Sequence, residues 1–387
     1  MLNLDKSTWR RVRFGDVVRN VNESVKDPEA AGIDRVLGLD NLDGGELEIT
    51  RWGDVADGTT FTRRVRPGQT LFGKRRAYQR KTAYATFDAI CSGDILVFEV
   101  ADPGVLLPEL LPFLAMTDAF YDHALGTSAG SLSPRTKWAD LAKFEFDLPP
   151  LDEQRRTADL LWAVERRARA CGRLAESTSG VWELRRAQFI VNPSFQRGAL
   201  GEVCTVRAGA TPNRSRHDRY FRGGTIPWVK TLDLNESTLR STDESITAAA
   251  LAETSCHWLP EGTVLIAMYG GFGQIGRTAV LGMDAATNQA VSALTNLDPE
   301  LLPAYVQTAL QALRPAWRRV AASSRKDPNI TKADIERFRI PIPPLVEQQR
   351  LLTVRGAHDH ALSTLTDEMK RLKRLQMTVL VHEGAAK

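Results

Sequence analysis

A glycine-rich stretch in the second half of the chain has the spacing of a phosphate-binding loop. Gly271 to Thr278 satisfies G-x-G-x-x-G and approaches G-x-x-x-x-G-K-T, with Arg277 where that second pattern requires lysine. A strand-like run from Val264 to Met268 precedes it, and the residues after Arg277 also have strand character. Without a helix N-terminus, the loop lacks the aligned N–H groups that hold a pyrophosphate. Three interpretations stay open: a nucleotide site, a plain hairpin, or a hairpin that contacts nucleic acid.

A second kind of candidate chemistry is a set of cations beside aromatic and amide side chains. In the first half these residues lie between two predicted strands, and they are Lys74, Arg75, Arg76, Tyr78, Gln79, Arg80 and Lys81. The comparable residues of the second half are Arg214, Arg216, Lys230, Tyr269, Gln274, Arg277, Arg325 and Lys326. Arginine and lysine suit phosphates and guanine edges, and glutamine suits adenine. We predict DNA-contacting loops in both halves; the alternative for each loop is a solvated charged face.

No catalytic constellation can be assembled from the spacing of the residues. Two di-proline sites invite comparison with the [D/N/S]-P-P-aromatic motif of enzymes that methylate the amino groups of bases. Leu148 and Leu151 flank the first pair of prolines, and Ile342 and Leu345 flank the second. The polar group and the stacking ring of that motif are therefore missing twice. We predict a chain that is not itself an enzyme.

The elements that must position the loops are indicated by a repeat around the di-prolines. The segment Pro149-Pro-Leu-Asp-Glu-Gln-Arg-Arg156 recurs 194 residues later as Pro343-Pro-Leu-Val-Glu-Gln-Gln-Arg350. From Pro134 to Arg156, ten positions are identical at this offset. A long fixed period indicates two copies of one unit, each a globular part followed by a helix. The predicted fold class is α+β, with two mixed α/β domains and an internal pseudo-twofold repeat.

Each di-proline predicts the start of a long helix, because proline lacks the N–H that a first helical turn leaves unpaired. Apolar residues downstream follow the 3-4 alternation of a coiled-coil seam. The seam residues are Leu161, Val164, Ala168, Cys171, Trp182, Leu362, Leu365, Met369 and Leu372. Each helix is predicted to run about 35–40 residues, roughly 50–60 Å. We predict that the helices pair and hold the domains apart; the alternative is two amphipathic helices lying on their own domains.

The chain is therefore predicted to have four segments: domains at residues 1–148 and 192–342, and helices at 149–191 and 343–387. Its net charge of +4 permits a nucleic-acid partner without demanding one. Four widely spaced cysteines form no C-x-x-C pair, which argues against a zinc site and a disulfide framework. No signal segment and no apolar run of ~18 residues is present, so the predicted location is the cytoplasm, away from membranes.

The doubled P-P-L-x-E-Q motif before long helices resembles the specificity subunit of Type I restriction-modification enzymes. Ile226-Pro-Trp-Val and the stretch from Gly276-Arg277 to Asn288-Gln289 are similar to the target-recognition domains of that family. The resemblance covers essentially the whole chain. It implies two target-recognition domains separated by two long antiparallel helices, with each domain reading one half of a bipartite DNA sequence in the major groove.

The resemblance also implies partners and a role in host defence. Two methyltransferase (modification) subunits would dock on the chain, flip an adenine of double-stranded DNA and methylate it. Restriction subunits with ATP-driven translocation would join that core. S-adenosylmethionine, ATP and Mg²⁺ are therefore expected in the partner subunits, and no cofactor or metal is expected in this chain. Two alternatives stay open: a specificity partner of another methyltransferase system, and a nucleotide-binding enzyme that uses Gly271–Thr278.

Overall fold

The structure is a computed structural model, and it describes residues 6–128, 134–321 and 329–384. The chain divides into two compact units, and the first contains residues 1–173 together with 365–387. The second contains residues 174–364. Each unit therefore takes one part of both long helices. The units do not delimit the four predicted segments, whose bounds stay a prediction.

The first half of the chain is rich in short strands, as its β-branched and aromatic runs between turns predict. The strands are β1 (Arg10–Arg13), β2 (Val18–Val21), β3 (Arg35–Leu37), β4 (Gly53–Asp54), β5 (Arg63–Val65), β6 (Thr70–Gly73), β7 (Thr82–Tyr84), β8 (Ala89–Cys91), β9 (Ile95–Val100) and β10 (Glu145–Leu148). The helices are α1 (Phe14–Val17), α2 (Leu111–Leu114), α3 (Asp118–Gly126), α4 (Trp138–Leu141) and the long α5 (Leu151–Ile190). Short 3-10 turns lie at Lys6–Thr8, Leu39–Asn41, Val55–Asp57 and Ala77–Gln79.

Two four-stranded sheets form the first unit. One is antiparallel throughout, in the order β2-β9-β6-β7, and the other has the order β4-β3-β8-β5 with β3 parallel to β8. A separate pair, β1 and β10, lies next to the start of α5. The antiparallel sheet packs with helices around an aromatic core in which the Phe14 ring centroid lies 4.8 Å from that of Phe120 and 5.3 Å from that of Phe98. All three rings are fully buried, so this core fixes the strands that carry the loops.

The second half of the chain has a similar set of elements. The strands are β11 (Arg197–Ala199), β12 (Thr205–Ala208), β13 (Ile226–Val229), β14 (Thr238–Leu239), β15 (Ser245–Ile246), β16 (Val264–Ala267), β17 (Thr278–Leu281), β18 (Ala286–Thr287), β19 (Val291–Thr295) and β20 (Arg339–Pro341). The helices are α6 (Leu200–Val203), α7 (His217–Tyr220), α8 (Ala248–Glu253), α9 (Pro303–Ala321), α10 (Lys332–Arg337) and the long α11 (Leu345–Gly384). Short 3-10 turns lie at Arg214–Arg216 and Thr231–Asp233.

The second unit also has two sheets and a separate pair of strands, but its strands are divided differently between the sheets. A five-stranded sheet has the order β12-β19-β16-β17-β14, and a three-stranded sheet has the order β15-β13-β18 with β13 parallel to β18. The pair β11 and β20 lies next to the start of α11. The core of this unit is built on α9, where the Trp317 ring stacks on Phe338 with centroids 3.8 Å apart. Mixed α/β architecture on either side of a long helix in the chain confirms the predicted fold class.

Each long helix begins directly after its di-proline, as predicted, and each is 40 residues long. The glutamine of the repeated motif explains how each long helix is attached to its domain. Gln154 is almost completely buried, its Oε1 accepts a hydrogen bond from Leu107 N at 2.9 Å, and its Nε2 donates to Val105 O and Pro149 O, both at 2.9 Å. A buried side chain that satisfies three backbone groups fixes the first turn of the helix on its domain.

Gln348 makes the same three kinds of bond in the second unit. Its Oε1 accepts from Leu302 N at 2.9 Å, and its Nε2 donates to Glu300 O at 2.7 Å and to Pro343 O at 2.9 Å. The repeated motif therefore performs the same structural task in both units. The pseudo-twofold symmetry of the whole chain stays a prediction.

Within the first unit, the start of α5 runs antiparallel to the end of α11. Glu165 Oε2 lies 3.5 Å from Nε2 of Gln376, and a Cβ added to Gly172 would lie 3.8 Å from Met369 Sδ. Glu165 and Gln376 are both buried, and a polar pair inside a helix seam favours one register over others. In the second unit the Trp182 ring stacks on His358, with centroids 5.5 Å apart. Within the described residues, no helix combines the length and hydropathy needed to cross a membrane.

Candidate nucleic-acid interface

The basic segment of the first domain is the loop of an antiparallel hairpin. Strands β6 and β7 pair from Thr70 with Tyr84 to Phe72 with Thr82. Gly73 N then donates to Lys81 O at 2.9 Å, and the 3-10 turn Ala77–Gln79 closes the loop. Because β6 is wholly buried, the loop projects from a rigid base. The predicted position of this segment between two strands is confirmed.

Two arginines of this loop adopt a left-handed backbone conformation. Arg76 has φ of 56° and Arg80 has φ of 52°, a region that costs a residue with a side chain about 1–2 kcal/mol. Arg80 is held by the protein: its Nη2 lies 3.0 Å from Met116 O and 2.6 Å from Asp118 Oδ1, and its guanidinium covers the Tyr121 ring. Arg76 N donates to Pro134 O at 2.9 Å, whereas the Arg76 side chain is exposed.

A cationic cluster surrounds Asp94 beside this loop. Arg75 Nη1 lies 3.5 Å and Arg135 Nε 3.2 Å from the Asp94 carboxylate, and Lys74 N donates to Asp94 O. Burial, followed by repulsion from Arg63 and Arg135, lowers the pKa of Lys74. Two guanidinium groups therefore share the Asp94 carboxylate beside Lys74, which leaves a positive surface suited to phosphates.

The other predicted residues of this loop differ in accessibility. Lys81 Nζ donates to Leu39 O at 2.8 Å, and its side chain is only 15% exposed. Gln79 is half-buried, whereas the Tyr78 side chain is 56% exposed. The structure thus leaves Arg76 and Tyr78 accessible at the surface and holds Arg80 and Lys81 against their own domain.

The glycine-rich loop of the second domain is also the turn of an antiparallel hairpin, β16 with β17. Its backbone donors are used internally: Gln274 N and Ile275 N donate to Gly271 O, both at 3.0 Å. Gly276 N donates to Ala267 O and Arg277 N to Gln274 O. Four consecutive N–H groups are thus unavailable to a phosphate, and β17 follows instead of a helix. This geometry favours the hairpin interpretations over the nucleotide site.

Arg314 on helix α9 holds the glycine-rich loop. Its Nη2 donates to Gly273 O at 2.6 Å, its Nε to Ile275 O at 3.2 Å, and its Nη1 to Glu236 Oε1 at 2.9 Å. Gly276 has φ of +72°, and a Cβ on it would lie 2.4 Å from Trp317 Cδ1. The glycine pattern therefore permits close packing against α9.

The predicted contact residues of this hairpin lie at its tip and base. Tyr269 is 42% exposed, and Gln274 Oε1 accepts from Arg277 Nη1 at 3.1 Å. Arg277 and Gln274 are both half-buried. The hairpin thus presents the Tyr269 ring and the hydrogen-bonded pair of the Gln274 amide and the Arg277 guanidinium. Arg325 and Lys326 lie outside the described residues.

A second cationic group of this domain is built on strand β13. Glu244 lies between two cations, with Oε2 2.8 Å from Arg214 Nη1 and Oε1 3.1 Å from Lys230 Nζ. The Arg214 guanidinium also lies 4.6 Å from the Phe221 ring centroid. The hydrogen bond from Arg214 is the main cause that lowers the pKa of Glu244, and burial opposes it. Arg216 is exposed, with Nη1 3.5 Å from the Tyr220 hydroxyl.

Comparison with known proteins assigns the second half of the chain. Residues 194–372 match the family model described as Type I restriction modification DNA specificity domain. The second half of this chain therefore resembles a type I DNA specificity domain. The EcoR124I/EcoR124II type I restriction enzyme specificity subunit of Escherichia coli is 23% identical over 185 residues. That alignment covers 46% of this chain and 45% of the relative, so it spans less than half of the length of the relative.

Solved structures extend the likeness of the fold beyond the specificity domain. The S subunit of a type I restriction-modification system from M. genitalium matches with a TM-score of 0.65 at 13% identity, covering 100% of this chain and 99% of that one. A chain from a structure on complex assembly and conformational transition of the type I R-M system matches with a TM-score of 0.62 at 22% identity, covering 98% of both. The family resemblance that the sequence predicts is confirmed.

The predicted seam residues lie on α5 and α11, and none of them is classed as exposed. Four are buried: Leu161, Val164, Cys171 and Trp182. Five are half-buried: Ala168, Leu362, Leu365, Met369 and Leu372. Another apolar set on α5 is exposed instead, including Leu174, Val181 and Leu184. The role of either set in binding a partner stays a prediction, as do the DNA contacts of the loops.

Sequence reasoning missed several cations outside the specificity domain. Arg135 contacts the Asp94 carboxylate, and Arg63 helps to lower the pKa of Lys74. Arg35 lies 4.4 Å from the ring centroids of both Trp52 and Phe87. The basic run at residues 63–66 was a readable signal for Arg63. No local pattern joins Arg35 to rings so distant in the sequence, because only the fold brings them together.

Proposed function

We propose that this chain is the sequence-specific DNA-recognition subunit of a type I restriction-modification complex. Each of its two domains would read one half of a bipartite target, and the chain would position methyltransferase subunits for adenine methylation. Restriction subunits would join that assembly for cleavage. In this proposal the chain itself is not a catalyst, and S-adenosylmethionine, ATP and Mg²⁺ are bound by its partners.

One observation carries the bipartite part of the proposal. Gln154 and Gln348 make equivalent hydrogen bonds, and each fixes a long helix on a sheet-rich domain. Only the second domain lies within the family match. Because the first domain has the same join and a cationic hairpin of its own, it supports a second DNA-reading role.

Two domains that each read a few base pairs also fit the energetics of DNA recognition. A wrong base pair costs about 1–3 kcal/mol, and separated positions contribute roughly additively. A small net charge of +4 suggests weak DNA binding by the chain alone, since phosphate contacts dominate affinity. The methyltransferase subunits would then supply further phosphate contacts.

Methylation mapping tests the proposal. Cells would express the neighbouring methyltransferase subunit with or without this chain, and methylated adenines would be located across the genome. We expect methylation at one split motif only when this chain is present, which would supply both half-sequences and the gap. Methylation independent of this chain would refute the specificity role. A continuous motif would refute the bipartite reading alone.

A further inference from the structure

Arg76 differs from the other cations of the first domain in having a strained backbone and an unrestrained side chain. Its φ of 56° lies in the left-handed region, and its side chain is exposed. The structure gives its guanidinium no acceptor among residues 6–128, 134–321 and 329–384. Arg80, the other left-handed arginine of this loop, is instead bound to Asp118 and covers Tyr121.

The hairpin of the second domain shows what such a position ordinarily requires. Its left-handed residues are all glycines, Gly270, Gly271 and Gly276. Glycine adopts this conformation without steric cost. An arginine that keeps the costly conformation, without a side-chain contact that stabilises the fold, indicates selection for what its side chain does.

Charge around Arg76 favours a DNA ligand. Arg75 and Arg135 contact the Asp94 carboxylate next to the loop, and Lys74 interacts electrostatically with Asp94 and Arg135. The excess of positive charge in this group suits the phosphate backbone. Tyr78, two residues beyond Arg76, is exposed. These cations can therefore bind the phosphate backbone of DNA while the tip of the loop reaches into a DNA groove.

We propose that Arg76 is a specificity-determining residue of the first domain, and that its guanidinium donates two hydrogen bonds to O6 and N7 of one guanine. This inference rests on the proposed function. The planar fork of arginine matches that pair of acceptors, and the match is the commonest specific contact in the major groove. The first half-sequence then contains a G·C pair that depends on Arg76.

The test uses the full chain in complex with its methyltransferase subunit. Arg76→Gly removes the guanidinium and relieves the backbone, so we expect a thermal midpoint equal to or above that of the unchanged chain. Methylation mapping should show one guanine position relaxed, with discrimination at that position reduced about tenfold or more. Arg76→Lys keeps the charge without the fork and should also relax that position.

A matched control is Arg10→Gln, which removes an exposed cation on β1, away from the loop. It should leave the motif unchanged. Uniform weakening by Arg76→Gly across all sequences, with a shallower salt dependence and rescue by lysine, would show a phosphate contact and overturn the inference. An unchanged motif, or a first half-sequence of A·T pairs alone, would also overturn it. A native complex without any chain-dependent motif would instead refute the proposed function.

Discussion

Gln154 and Gln348 show how one side chain can fix the geometry of a much larger element. Each lies where a strand ends and a 40-residue helix begins. Each makes hydrogen bonds with three backbone groups that would otherwise need water as a partner. A buried backbone group without a partner costs about 1–3 kcal/mol. The glutamines therefore determine how firmly each helix is attached to its domain.

We predict that Gln154→Leu and Gln348→Leu each lower the free energy of unfolding by about 3 kcal/mol, because leucine leaves the three groups unsatisfied. Urea unfolding measures this loss. The matched control is Gln349→Leu, because Gln349 is the exposed neighbour of Gln348. Equal stability of the Gln348 and Gln349 variants would contradict the structural role.

Glu244 gives a prediction for pH. Its pKa is lowered, so the stability it contributes is present above the ordinary value of 4.5 and is lost as pH falls through its lower folded value. We expect Glu244→Gln to be less stable than the native chain by about 1 kcal/mol at neutral pH, since the pair is partly exposed. The difference should shrink in urea titrations at acid pH. A constant difference at all pH values would show that Glu244 acts without its charge.

The sequence predicts the chemical types at the candidate interface better than their accessibility. The loop at residues 74–81 was identifiable from its cations, yet nothing in that run distinguishes the exposed Arg76 from the restrained Arg80. The difference arises because Asp118 and Tyr121 approach Arg80 from elsewhere in the chain. Long-range packing decides which cations remain available.

At the scale of elements, the predictable features were those with a regular apolar spacing or with prolines at their start. Proline and a 3-4 apolar pattern determine the long helices locally, so their starts and lengths could be predicted. Residues 106–125 look helical in the sequence, but they do not form one continuous helix. They contain the separate helices α2 and α3, because the Thr117 hydroxyl accepts from Phe120 N and starts a new helix there.

The antiparallel seam of the first unit leads to a prediction for the spacing of the two half-sequences. The variant has two insertions: a second copy of residues 169–175 after Ala168, and a second copy of residues 366–372 after Leu372. Together they preserve the pairing of Glu165 with Gln376. Seven helical residues add roughly 10 Å, or about three base pairs. Methylation mapping should show a longer gap between unchanged half-sequences.

The control for that prediction is the insertion in α5 alone. It cannot keep both Glu165 beside Gln376 and Gly172 beside Met369, so we expect it to be less stable. If the double insertion folds and directs methylation across the original gap, the helices do not set the spacing.

At the scale of the whole molecule, the first unit is discontinuous in sequence. Its hydrophobic core combines Ala158 and Leu161 with Val379. No local sequence pattern indicates a contact between residues more than two hundred positions apart. The sequence therefore predicted that the helices pair, but it did not predict which segments would share a compact unit. The repeat predicted two copies, and only the fold shows that residues 365–384 belong to the first compact unit.

The discontinuity has a consequence for the order of events on the ribosome. Residues 174–364 are complete before residues 365–384 have been synthesised, although domains ordinarily fold in order from the N-terminus. We predict that a nascent chain stalled with residues up to 364 outside the exit tunnel protects its second unit from protease, while α5 of the first unit is cleaved near Leu161. Equal protection of both units would show that the first is complete without its distant segment. During synthesis, the first unit therefore lacks its packing partner on α11 until residues 365–384 have been made.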